Sequence, residues 1–254
     1  MELLLGFVIA ALIAMTGVGA GTITAPLLIL FLRVPVAQAV GTALAFSAAV
    51  KLVVVPIQVV RKKVVWRTLG LMLLTGIPGV VLGTLFFRRA IRFEAGRLWL
   101  YLVLGAMITA SSAWHVYRHF RPASVREKDR SRPGWLAAAM LPIGIEVGFS
   151  SSGAGAMGTM ALLSLTPLDA AAVVGTDLAF GLCLSLIGGT LHLAGGGLDT
   201  PLLIRLIFGG LLGAMAGTIL ASRIPARSLR LALSVSLFVV GVQLCWQAAV
   251  LAGV

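Results

Sequence analysis

Charge is scarce in this chain. Asp, Glu, Lys and Arg together make up 11% of its 254 residues, against about 25% in a typical soluble domain. With a mean hydropathy of +1.07, that shortage excludes an ordinary soluble globular protein. Cysteine is equally sparse. Cys183 and Cys245 both lie inside apolar runs, which excludes a disulfide framework and makes them small core residues. Of three histidines, His115 and His119 flank a polar linker, so no typical zinc site can be assembled with the carboxylates available. HExxH, GxSxG and nucleotide-binding motifs are missing, so neither catalysis nor a resident cofactor is expected. The net charge of +12 has no domain-sized polar segment on which to gather, which excludes a nucleic-acid binder. A cleavable signal peptide is not expected, because Glu2 precedes the first apolar run and a basic leading region is absent.

What remains is apolar. Runs long enough to cross a hydrocarbon core recur along the chain, and 30 glycines suit closely packed membrane helices. The class expected is an all-α polytopic membrane protein of the inner-membrane type. Residues 3–15 and 23–32 form two short apolar runs, followed by segments over about 36–60, 68–87 and 98–117. Residues 118–133 carry six basic residues, two acids and two prolines, a solvated linker dividing an N-terminal membrane repeat (1–117) from a C-terminal one (134–254). The second half repeats the plan: short runs at 135–147 and 156–165, then segments at about 168–194, 201–221 and 228–251.

The repetition is literal at a spacing of 134 residues. Val40-Gly41-Thr42 matches Val174-Gly175-Thr176, and Leu44-Ala45-Phe46 matches Leu178-Ala179-Phe180. Gly76, Gly79, Gly83 and Thr84 match Gly210, Gly213, Gly217 and Thr218. Two homologous four-segment repeats are therefore expected, each opening with a broken or re-entrant helix. The breaks are Thr16-Gly17-Val18-Gly19-Ala20-Gly21-Thr22 and Ser150-Ser151-Ser152-Gly153-Ala154-Gly155-Ala156.

Charge placement addresses the topology. If each broken segment crosses once, ten basic residues lie inside and eight outside. If each is a re-entrant hairpin and the N-terminus is outside, the split becomes thirteen against five, which the positive-inside rule prefers. Three spans per half would then make the halves inverted, the usual symmetry of transporters. Arg88, Arg89, Arg92 and Arg97 remain on the outer side in this arrangement.

Non-helical backbone survives in a membrane only when buried in protein or lining a polar cavity. Half-helices that start after the breaks aim their N-terminal amides and positive dipole ends into such a cavity. The two breaks are expected to face each other near the midplane and to hold a small anion. Candidate ligands are the backbone at Gly19, Gly21, Gly153 and Gly155, with hydroxyls from Thr16, Thr22, Thr24, Ser150, Ser151 and Ser152. Gly41-Thr42 and Gly175-Thr176 could complete the site from each half, or the threonines could bond back to their own helices. Lys51, Glu146, Asp177 and His192 fall inside apolar runs, where an ionisable residue marks function by default. Lys51 could supply the counter-charge for an anion or pair structurally with Asp177 or Glu146. Glu146 and Asp177 are candidates for proton coupling, whereas His192 reads as a satisfied structural group.

The stretch GVGAGTITAPLLILFL, followed by PVAQAVGTALAF and RKKVVW, resembles the sulfite exporter (TauE/SafE) family, and GAGAMGTMALLSLTPLDAAAVVGTDLAF is similar to that family's second repeat. The resemblance implies a permease for small sulfur-containing or organic anions such as sulfite or sulfonates. It carries over to Gly19, Gly21, Thr22, Pro26, Gly41, Thr42, Gly153, Gly155, Gly175 and Thr176. The second copy departs from the first in having Met160 where the first has Pro26. The expected partners are a small anionic substrate and the lipid bilayer, with no nucleic acid and with a homodimer left open. The alternative is a membrane-embedded enzyme or subunit using Glu146 and His192 as acid and base; a channel is a third, weaker reading.

Overall fold

The computed structural model describes residues 2–16, 20–92, 132–151 and 155–220, together with part of 102–117 and 235–246. The described residues are helical apart from short connections. The helices are α1 (Glu2–Thr16), α2 (Ala20–Phe31), α3 (Val36–Val60), α4 (Trp66–Ile91), α5 (Pro133–Ser150), α6 (Ala156–Leu165), α7 (Ala170–Ala194) and α8 (Thr200–Leu220). Within α3, α4, α7 and α8 lie four helices long and apolar enough to cross a membrane. Their outward faces are apolar as well: Leu74 and Ile219 are each 71% exposed, which a bilayer tolerates and water does not. This is a multi-pass membrane protein.

Glycine governs which helices meet. A Cβ at Gly79 would lie 2.5 Å from the Leu141 carbonyl and 3.0 Å from Gly144 Cα, so α4 and α5 touch backbone to backbone. The equivalent contact joins α8 to α1, where a Cβ at Gly213 would strike the Phe7 carbonyl. Gly83 faces Ile145 as Gly217 faces Ala11, and Gly76 receives the Phe180 ring as Gly210 receives that of Phe46. Without a hydrophobic drive between helices in lipid, such small-residue contacts supply the packing. Each half thus packs its last described long helix on the opening helix of the other.

Contact registers give the chain directions. Thr75 donates to the Ala137 carbonyl at 2.7 Å and Thr84 to that of Gly148 at 3.4 Å, so α4 and α5 run parallel. α4 is also parallel to α7, since Gly76 meets Phe180 and Phe87 meets His192. α3 and α7 run antiparallel, because Gly41 meets His192 whereas Ser47 meets Ser185. α8 is parallel to α1, with Arg205 against Glu2 and Gly217 against Ala11, and to α3, with Asp199 against Thr42 and Gly210 against Phe46. α1 and α5, α3 and α7, and α4 and α8 therefore point in opposite directions.

The same registers fix the path at the breaks. The Arg132 N–H donates to the Leu165 carbonyl at 3.0 Å, so the start of α5 meets the end of α6 and the two helices run in opposite directions. α1 and α3 run the same way through their shared partner α8, so α2 must carry the chain back between them. At 1.5 Å per residue, the 15 residues of α1 span about 22 Å and the 10 of α6 about 15 Å, each less than the roughly 30 Å of hydrocarbon. α5 stops at Ser151, which adopts the left-handed conformation (φ 63, ψ 3) while its N–H bonds the Val147 carbonyl at 2.9 Å. The αL residue closes the last turn and redirects the chain.

Candidate functional site

The core at the crossing of α3 and α7 is polar. Lys51 on α3 donates its Nζ to Ser185 Oγ at 3.2 Å, and Ser47 Oγ lies 3.2 Å from the same hydroxyl. All three are buried, Lys51 at 4% exposure. Position 51 thus contacts position 185, its equivalent at the 134-residue spacing of the sequence repeat. An ammonium has three donors, and one is spent on a neutral hydroxyl. The ion pairs among the described residues, Lys63–Asp169 and Glu2–Arg205, lie elsewhere and are partly exposed.

Asp177 is the carboxylate that acts electrostatically on Lys51, without direct ion-pair contact. It lies on α7 eight residues before Ser185, about 12 Å along the helix axis. Its Oδ2 is 2.8 Å from the Thr159 hydroxyl on α6. Its Oδ1 is buried with no hydrogen-bond partner among the described residues. Gly158 lies against that oxygen: a Cβ there would collide with it. The short return helix of the second hairpin is therefore seated on the Asp177 carboxylate.

The Gly-Thr pairs do something the sequence reading did not anticipate. Thr42 Oγ1 accepts from the Asp199 N–H at 3.1 Å, and Thr176 Oγ1 accepts from the Val65 N–H at 3.0 Å. Beside them, Gly41 abuts the Gly197 carbonyl and Gly175 abuts that of Lys63. Each pair therefore fastens one half to the segment leading into α8 or α4 of the other. The hydroxyls bond neither back along their own helices nor to each other. The half without a side chain at Gly41 or Gly175 is what lets the partner carbonyl approach.

The first break is only partly described. Gly19 lies outside the described residues, and Gly21 and Thr22 form the first turn of α2 rather than part of an unwound loop. Their helical start leaves first-turn amides directed toward the break. In the second break, Ser152 and Gly153 lie outside the described residues, and Gly155 directly precedes α6. Ser150 bonds back to the Glu146 carbonyl at 2.9 Å. Ser151 Oγ is buried and has no hydrogen-bond partner among the described residues. The level of Ser151 follows from Phe149, which stacks edge-on to Phe87 at 5.5 Å, and from Phe87, which meets His192 at 5.0 Å. That is the last turn of α7, beyond the crossing at Lys51 and Ser185.

Glu146 on α5 is buried, and no hydrogen bond or ion pair of its carboxyl is seen among the described residues. His192 Nε2 lies 3.1 Å from the Gly148 carbonyl, the satisfied structural contact expected of it. The histidine and Glu146 share no hydrogen bond. Two participants were not expected from the sequence, Thr159 and Ser185, whereas Ser151 was among the hydroxyls expected at the second break. A signal for Thr159 was present, because Thr159 and Asp177 are equidistant from Leu168 in the turn between α6 and α7, so any hairpin there brings them together.

The family model described as sulfite exporter TauE/SafE matches residues 2–244. A Bacillus subtilis (strain 168) protein described as "Probable membrane transporter protein YjnA" is 26% identical over 251 residues, covering 95% of this chain and 98% of that protein. No solved structure matches the chain.

Proposed function

We propose that this chain, a membrane transporter that belongs to the sulfite exporter TauE/SafE family, moves small sulfur-containing or organic anions such as sulfite or sulfonates across the cell inner membrane. The observation that carries the reading is the buried Lys51 ammonium, bonded to the neutral Ser185 hydroxyl where α3 and α7 cross. A buried charge without a direct partner is expensive, and a transported anion is the natural occasion to offset it. The small residues and first-turn amides of the two breaks, Gly19, Gly21, Thr22, Ser152, Gly153 and Gly155, would complete the coordination. Helix N-termini favour anions at such places. Gly41, Thr42, Gly175 and Thr176 support this site by holding the halves together. Movement of one half against the other would expose the anion to each side in turn. Glu146 and Asp177 are the buried carboxylates available for proton coupling.

Thermal unfolding of the purified protein against sulfite, methanesulfonate, isethionate, sulfate and chloride tests the reading. A ligand that binds only the folded state raises Tm with concentration, by about 2.7 kcal/mol of stabilisation at a hundred times Kd. A saturable shift with the sulfur oxyanions, lost in Lys51→Met, is the expected result. Equal shifts in both proteins would remove Lys51 from the site.

A further inference from the structure

We infer that Asp177 is the proton-carrying group of this transporter, becoming neutral when an anion occupies the space beside Lys51, so that one proton moves with each monovalent anion. The inference rests on the transport reading above and adds its coupling ion and stoichiometry.

The hydrogen-bond arrangement around Thr159 is the first reason. Its hydroxyl lies 2.8 Å from Asp177 Oδ2 and 2.8 Å from the Gly155 carbonyl. Both of those oxygens are acceptors when Asp177 is ionised, and one hydroxyl proton cannot serve both fully. A proton on Oδ2 removes the conflict: Asp177 then donates to Thr159, and Thr159 donates to Gly155. The remaining Oδ1 is buried without a partner among the described residues, which a neutral carbonyl oxygen bears more easily than an ionised one. With Gly158 pressed on one side, the one hydroxyl bonded to the carboxylate among the described residues is that of Thr159.

Charge balance is the second reason. Lys51 from α3 is the cation that acts on Asp177. From α6 only the neutral Thr159 faces it. Lys63, in the turn before α4, backs Gly175 with its carbonyl and directs its ammonium to Asp169. Arg88 of α4 and His192 of α7 lie at the far end of α7, against Gly195 and Gly148. Glu146 of α5 lies two residues before Gly148, at that same end. Among the described residues, the core beside Lys51 thus carries one positive and one negative charge, with Glu146 at the far end of α7. A bound anion would leave it net negative, and a proton on Asp177 restores neutrality, as the low dielectric demands. The pair occurs once per chain: the equivalents of Lys51, Asp177 and Thr159 are Ser185, Ala43 and Ala25.

The test uses the full chain in proteoliposomes with labelled methanesulfonate, whose charge is constant over the pH range. For one proton per anion, an inward gradient of one pH unit is worth about tenfold accumulation, while a valinomycin-imposed potential drives none. Asp177→Asn, permanently neutral, is expected to lose the pH-driven accumulation and to become potential-driven. Thr159→Val is expected to shift the pH midpoint of uptake, with Thr159→Ser restoring it, which keeps the assignment testable if Asp177→Asn does not fold. Accumulation by wild type that follows potential and ignores the pH gradient would overturn the inference, as would undiminished pH-driven accumulation in Asp177→Asn. Absence of any methanesulfonate counterflow in wild type would overturn the transport reading and this inference with it.

Discussion

Gly79→Ala is the sharpest probe of the packing that positions the site. The added methyl carbon would sit 2.5 Å from the Leu141 carbonyl oxygen, 3.0 Å from Gly144 Cα and 3.1 Å from Ile145 N. Comfortable separation between non-bonded heavy atoms is about 3.5–4.0 Å, so α4 and α5 must part by about 1 Å. None of the three clashing atoms belongs to a flexible side-chain end that could swing away. A gap of that size forfeits about a quarter to a half of each dispersion contact along the seam, and overpacking of this kind costs about 1–3 kcal/mol. For a chain of this size, that corresponds to a fall in Tm of about 2–12 °C. Gly70 on the same helix is the control, because a Cβ there meets nothing within 4 Å. Gly70→Ala should hold Tm steady or raise it slightly through the better helix propensity of alanine. Thermal unfolding of both variants in one detergent is the assay. Equal Tm values for Gly79→Ala and Gly70→Ala would refute the backbone contact between α4 and α5.

Three further outcomes follow from the same geometry. Thr42→Val and Thr176→Val each leave a backbone amide, of Asp199 or Val65, without its hydroxyl acceptor. Each should lower stability by about 1–3 kcal/mol, with the two losses additive because the contacts share no partner, as a double-variant Tm series will show. Lys51→Met should abolish sulfonate uptake while the protein still elutes as a folded species in size-exclusion chromatography. Glu2→Gln should leave Tm unchanged, since its Arg205 partner is 61% exposed in the side chain and solvent screens such a pair.

Much of the fold was legible because membranes enforce simple rules. Apolar runs gave α3 its ends at Val36 and Val60, matching the expected 36–60. α4 extends beyond the expected 68–87 to Trp66 and Ile91, since Arg88 and Arg89 stay helical where hydropathy alone would stop. The first break narrowed for a related reason: Ala20, Gly21 and Thr22 join α2, although small and polar residues predicted an unwound loop. Charge counting favoured return hairpins, and the Arg132–Leu165 bond brings the start of α5 to the end of α6. Cross-helix partners were the illegible part. Nothing local to Gly41-Thr42 says that its hydroxyl reaches Asp199, 157 positions away. That contact depends on the antiparallel pairing of two halves, which a run of hydropathy does not encode. Lys51 was visible as an intramembrane charge, but its neutral serine surroundings became visible only when α3 crossed α7.

Counterflow of labelled methanesulfonate in proteoliposomes, comparing wild type with Lys51→Met, tests the central claim most directly. Saturable exchange in wild type, competed by sulfite and lost in the variant, is the predicted result. Exchange of equal rate and affinity in both proteins would contradict an anion site built on the buried lysine.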